Sequence, residues 1–128
     1  MNQTSNGKEK NVVKDKSYTF ALQVIKAYKV LSQEKREFIL SKQMLRSGTA
    51  IGALIKEAEH GQSRADFINK MNVALKETNE TEYWLMLLKD SDYIEENTFS
   101  SLISECRELL RLLISIVKSS KAQDGKQK

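Results

Sequence analysis

The segment from Phe67 to Leu88 constrains this chain more than any other. Phe67, Met71, Ala74, Thr78, Thr81, Leu85 and Leu88 alternate in steps of four and three. That is a seven-residue repeat, the pattern of helices packed nearly parallel to one another. It follows Ser63-Arg-Ala-Asp66, a capping box in which a hydroxyl and an acid three residues on satisfy free backbone donors. The spacing predicts a helix reaching about Asp90, roughly 36 Å long.

Three more helices share the chain with it. The first is expected from about Ser17, read as its N-cap, to Ser32, with Ala21, Val24, Ile25, Tyr28 and Leu31 at helical spacing. The second is expected from about Glu37 to His60, with Gly61 as its stop and Phe38, Leu45, Ile51, Ile55 and Ala58 as its apolar set. The fourth is expected from about Asn97 to Ser119, carrying Phe99, Leu102, Cys106, Leu109, Leu113 and Ile116. Ser91 to Asn97 reads as a turn. The chain of 128 residues has no proline, which suits long uninterrupted helices. Short connections between long amphipathic helices imply antiparallel neighbours. The expected fold is therefore all-α, an up-down antiparallel four-helix bundle over residues 16–119. Residues 1–15 and 120–128 are expected as disordered tails, the first polar and the second basic.

Mid-helix glycines mark the second segment. In Ser47-Gly-Thr-Ala-Ile-Gly-Ala53, each Gly costs about 1 kcal/mol against Ala. Close approach of a neighbouring helix offsets such a cost. A phosphate-cradling loop would need a preceding strand and a glycine fingerprint that the sequence lacks.

Composition excludes several chemistries. One cysteine rules out a disulfide framework and a Cys-based zinc site within one chain. Cys106 lies among leucines and isoleucines and reads as a small buried hydrophobe. Glu57-Ala-Glu-His60 is a Glu-x-x-His sequence on a helix, but di-iron bundles need two such motifs and the chain has one histidine. No metal, cofactor or small-molecule substrate is expected. No nucleophile–base–acid set is visible, so an enzyme is not expected. The N-terminal residues lack the apolar core of a signal peptide, and no apolar stretch reaches the length of a membrane span. A cytoplasmic protein is expected.

Charge is unevenly distributed. The net charge is +4. Residues 1–56 balance to +7, residues 57–108 to −7 and residues 109–128 to +4. Lysines interleaved with Tyr18 and Tyr28 fit a nucleic-acid footprint, and they fit a solvated helix face, which is the more common meaning of such a pattern. The opposed signs also suit head-to-tail association of subunits. Lys26, Lys29, Lys35, Lys42 and Arg46 are the candidate phosphate contacts. Glu77 and Glu80 fall on one stripe with Val73, Trp84 and Leu87. Desolvated carboxylates need a cation, and Arg46 is expected to pair with one of them, within the bundle or across subunits. Arg46 is thus claimed by two roles.

Several motifs carry a resemblance. Lys16-Ser-Tyr-x-Phe-Ala21, Leu40-Ser-x-Gln43-x-Leu-Arg-Ser-Gly-Thr49-x-Ile51-Gly-Ala53 and Ile55-x-Glu57-Ala58 are similar to the bacterial 23S ribosomal RNA intervening-sequence protein family. So are Ser63-x-x-Asp-Phe67, Ala74-x-x-Glu77-x-x-Glu80-Thr81 and Tyr83-Trp-Leu85. The resemblance implies a four-helix bundle without established enzymatic activity, with Arg46, Thr49, Glu57, Glu77 and Glu80 at the patterned polar positions. A related fold in the accessory variability protein of diversity-generating retroelements is a basic homopentamer that engages nucleic acid. By that similarity a homo-oligomer, favoured as a pentamer, is implied, with RNA or another nucleic acid as partner. The alternative is a protein-interaction scaffold that binds no nucleic acid. The family's usual Asn in helix two is here Leu54, and the Pro that many members carry before that helix is missing.

Overall fold

The computed structural model describes the backbone of residues 2–127 and the side chains of residues 7–123. Four helices follow one another: α1 (Asn2–Gln33), α2 (Leu40–Glu59), α3 (Arg64–Asp90) and α4 (Glu96–Gln127). Each packs against the next, and α1 closes the ring against α4. Among the described residues the backbones of the diagonal pairs, α1 with α3 and α2 with α4, stay apart, and the Lys10 side chain of α1 reaches the Phe67 ring of α3 at 4.5 Å. This is the antiparallel up-down four-helix bundle.

Every helix buries the same spacing. On α3 the buried set is Met71, Ala74, Thr78, Thr81, Leu85 and Leu88. On α4 it includes Leu102, Cys106, Leu109, Leu113, Ile116 and Ser120. On α2 it includes Ser41, Met44, Gly48, Ile51, Ile55 and Ala58. On α1 it includes Val13, Ser17, Phe20, Val24, Ala27 and Leu31. Steps of three and four thus run through all four helices and line one shared core. The hydroxyls in these stripes are satisfied locally. Ser17 Oγ donates to the Lys14 carbonyl (2.9 Å), and Thr78 Oγ1 donates to that of Ala74 (2.8 Å). Such back-bonding lets a polar side chain sit inside a helix bundle without an orphaned group.

The helical ends differ from expectation. Residues 7–15 belong to α1, not to a polar tail, because Val13 is a full core residue and Lys14 reaches Glu59 on α2 (3.0 Å). Ser17 is consequently mid-helix and buried, not an N-cap. At the other end α4 continues to Gln127 and buries Ser120, so the expected tail from residue 120 is helical up to there. Met1 and Lys128 lie outside the described residues.

The expected start of α2 also shifts. Glu37 precedes the helix and caps it. Its carboxylate accepts from the backbone N–H groups of Ile39 (3.1 Å), Leu40 (3.0 Å) and Ser41 (2.7 Å). Burial pushes the Glu37 carboxyl up, but these donors and the Ser41 hydroxyl together pull it further down, below its ordinary value near 4.5. Phe38 is exposed, not part of the apolar set. At α3, Ser63 Oγ accepts from Asp66 N–H (3.1 Å), as the capping box requires. The Asp66 carboxylate turns one residue further back, to Gln62 N–H (3.2 Å). The exit of α3 is a Schellman turn: Asp92 N–H bonds Lys89 O and Tyr93 N–H bonds Leu88 O, with Asp92 left-handed at φ 65°. Arg36, in the connection between α1 and α2, is left-handed too, at φ 57°. No glycine occupies either position.

The α2 glycines mark close helix approach. A Cβ on Gly48 would lie 3.0 Å from both methyls of Val24 on α1. A Cβ on Gly52 would meet Ser17 at 3.4 Å or beyond.

Candidate nucleic-acid interface

The first and second helices position the candidate cations. Lys26 and Lys29 stand on the last turns of α1, Lys35 in the α1–α2 connection and Lys42 in the first turn of α2. All four are exposed. Antiparallel packing brings them to one end of the bundle. None makes an ion pair among the described residues.

Arg46 is placed differently. Its guanidinium reaches across from α2 to α3, with one nitrogen 3.4 Å from Glu77 Oε1 and the other bonded to Glu80 Oε2. Glu77 is the more buried of the two acids. Both partners belong to the same chain as Arg46. A guanidinium held by two carboxylates has little charge left to offer a phosphate, so Arg46 acts as a clasp between helices and leaves the candidate contact set. Behind it, Thr81 Oγ1 and Ser47 Oγ are 2.8 Å apart in the core.

The remaining patterned positions are also accounted for. Thr49 Oγ1 donates to the Leu45 carbonyl within α2 (2.7 Å). Glu57 pairs with Lys70 of α3 (3.1 Å). Lys16, one of the N-terminal lysines near a tyrosine, is held by Glu108 of α4 (3.2 Å). Tyr18 is largely exposed, whereas Tyr28 packs against the core.

A groove adjoins the free lysines. It runs between the second half of α1 and the α3–α4 connection, with a volume of about 580 Å³. Lys26 and Lys35 line it on one side, and Tyr93 and Glu95 on the other. Lys35 in the α1–α2 connection and the acidic segment Asp90 to Glu96 are therefore neighbours at this end of the bundle. Sequence reasoning missed the groove, because its lining comes from segments about seventy residues apart with no shared motif. It also missed Ile39, exposed at 77%, and Tyr83, exposed at 56%.

Other chemistry-bearing residues are quiet. Cys106 is buried, and its Sγ lies 3.4 Å from the Thr78 carbonyl. Burial, reinforced by the Glu82 charge and only partly offset by Arg107, pushes its thiol up to about 12. His60 follows the end of α2 and is exposed. Among the described residues no group of three or more His, Cys, Asp or Glu side chains is placed to hold a metal. Among them, too, no helix is long and apolar enough to cross a membrane.

Comparison with known proteins adds a kinship. No curated protein matches the chain. A crystal structure of a Bacteroides thetaiotaomicron protein of unknown function, from the S23 ribosomal protein family, superposes with a TM-score of 0.84. It is 57% identical and covers 86% of this chain and 98% of its own. The family model for 23S rRNA-intervening sequence proteins matches residues 9–115, which takes in the α1 extension that carries Val13. On that match, running from the first core residue of α1 into α4, the chain belongs to the 23S rRNA-intervening sequence protein family.

Proposed function

We propose that this protein is a non-enzymatic, cytoplasmic RNA-binding bundle that holds phosphates through Lys26, Lys29, Lys35 and Lys42. One observation carries the reading. These four cations are exposed, unpaired among the described residues and gathered at one end, while Lys14, Lys16, Arg46, Lys70, Lys89 and Arg107 are each held by a carboxylate. Lys8, Lys10, Lys56, Lys118 and Lys121 are also exposed and unpaired among the described residues, and they lie towards the other end. Free ammonium groups neutralise phosphates and release the cations condensed on the nucleic acid, whereas a paired one must first give up its carboxylate. RNA is favoured as partner because the family takes its name from an insertion in 23S rRNA. The non-enzymatic part rests on a single histidine and a buried, unreactive thiol.

The test is the salt dependence of RNA binding followed by fluorescence anisotropy. Four neutralised duplex phosphates give a log–log slope of about −3.6, at ~0.9 each. Reversing all four lysines to glutamate abolishes binding, while Arg46→Ala leaves the slope unchanged. Undetectable binding at low salt refutes the reading and favours a protein-interaction scaffold. Exposed Tyr18, Leu22, Ile39, Tyr83 and Met86 support the accompanying proposal of a homo-oligomer, with five subunits proposed from the resemblance to the retroelement accessory protein alone. Light scattering at the monomer mass of 14.7 kDa would refute that part alone.

A further inference from the structure

The groove between α1 and the α3–α4 connection has the make-up of a base pocket. Its volume of about 580 Å³ falls within the range of small-ligand sites. Leu31, Ile94 and Leu102 give it an apolar floor, and Tyr93, 36% exposed, stands at its lip. Lys26 and Lys35 line one side, and Glu34 and Glu95 also face it.

We propose that this groove takes one unstacked, amino-bearing base (cytosine, adenine or guanine, and not uracil) from a single strand of RNA. The reading rests on the phosphate-binding role assigned to the same lysines. A base has apolar faces and a polar edge, and the apolar floor and Tyr93 suit the faces. The flanking phosphates keep to Lys26 and Lys35, because Glu34 and Glu95 repel them. The same carboxylates accept from an exocyclic amine, which cytosine, adenine and guanine present and uracil does not.

Gln23 adds an independent reason. It lines the groove, and its Oε1 is shut away from solvent with no hydrogen-bond partner among the described residues. An unpaired buried acceptor is unfavourable. The terminal torsion of an amide side chain is soft. A swing towards the groove pairs this oxygen with the base amine. A duplex keeps its bases stacked, and the deep, narrow major groove of A-form RNA puts their amines out of reach.

The test uses labelled oligo-C, oligo-A and oligo-U single strands and an RNA duplex of equal length, at one low salt concentration. The full-length protein binds oligo-C and oligo-A about tenfold more tightly than oligo-U or the duplex. Ser101→Trp fills the groove from an exposed position on α4 and removes this preference, but not the salt-dependent binding. Gln23→Leu reduces the preference without touching a lysine, and circular dichroism confirms that both variants stay folded. Equal binding of all four probes, or a preference that survives Ser101→Trp, overturns the base pocket and leaves phosphate binding standing. Failure to bind any probe overturns both.

Discussion

Two glycines one turn apart on α2 should respond to alanine with opposite signs. Replacing either by Ala gains about 1 kcal/mol of helix propensity. At Gly52 little opposes the gain, since the nearest atoms are Ser17 Oγ at 3.4 Å and Ser17 backbone at 3.6 Å, ordinary contact distances. At Gly48 the new methyl meets both Val24 methyls at 3.0 Å and its Cβ at 3.4 Å, well inside the optimum near 3.5–4.0 Å. Val24 is fully buried and branched at Cβ, so rotation cannot clear both methyls at once. Overpacking of this kind costs about 1–3 kcal/mol. The net is a destabilisation of about 1 kcal/mol for Gly48→Ala and a stabilisation of nearly that size for Gly52→Ala. At roughly 4 °C per kcal/mol for a chain of this size, the two melting temperatures separate by about 7 °C. Thermal and urea denaturation, followed by circular dichroism, measure the split. Val24→Ala combined with Gly48→Ala should cost less than the two singles added together, because each relieves the other. If Gly48→Ala raises the melting temperature as much as Gly52→Ala does, α1 and α2 are not as close there as described.

Three further outcomes follow from the structure. Glu37→Gln should lower stability by about 1–2 kcal/mol at neutral pH, since a charged cap with three donors is lost. The folded Glu37 carboxyl titrates below its unfolded value near 4.5, so its contribution is complete above that value and fades as pH falls through the folded one. The gap between wild type and Glu37→Gln should therefore narrow below about pH 4.5, and a gap that widens there refutes the cap. Arg46→Ala, at a half-exposed clasp, should cost no more than ~1 kcal/mol, whereas Arg46→Glu should cost roughly 1–2 kcal/mol and be rescued by Glu80→Arg. An unchanged melting temperature for Arg46→Glu removes the clasp from the account. Cys106 should react with a thiol reagent at mildly alkaline pH only as fast as the protein unfolds, its thiol being buried and raised to about 12. Labelling of the native protein at the rate of a free thiol contradicts that burial.

How much of this was legible in the sequence depends on what filled each stripe. On α3 and α4 the buried positions are mostly apolar, and the repeat could be read directly, threonines and Cys106 included. On α2 the same repeat passes through Ser41 and Gly48, which carry no hydrophobic signal, so Phe38 and Leu45 drew attention from a neighbouring face. On α1 the lysines around Val13 masked a core residue, and Ser17 imitated a cap. The Arg46, Glu77 and Glu80 set was legible as chemistry, because lone carboxylates on a half-apolar stripe need a cation nearby. Which lysines stay unpaired was not legible, since pairing depends on carboxylates far away in sequence: Glu59 for Lys14 and Glu108 for Lys16. The groove lining was hidden for the same reason.

Arg36 stands where a glycine would be easier. A left-handed arginine is uncommon, and it costs about 1 kcal/mol relative to a residue without a Cβ. Its guanidinium lies 5.6 Å from the ring of the exposed Phe38, next to Lys35 and away from the core. On the proposed RNA-binding role, thermostability and affinity are therefore opposed at this position. Arg36→Gly relaxes the chain reversal and so should rank among improvements in a melting screen. It also deletes a cation beside Lys35, and so should rank among losses in a binding screen. A stabilised variant chosen on heat resistance alone would select against the charge that the α1–α2 connection presents.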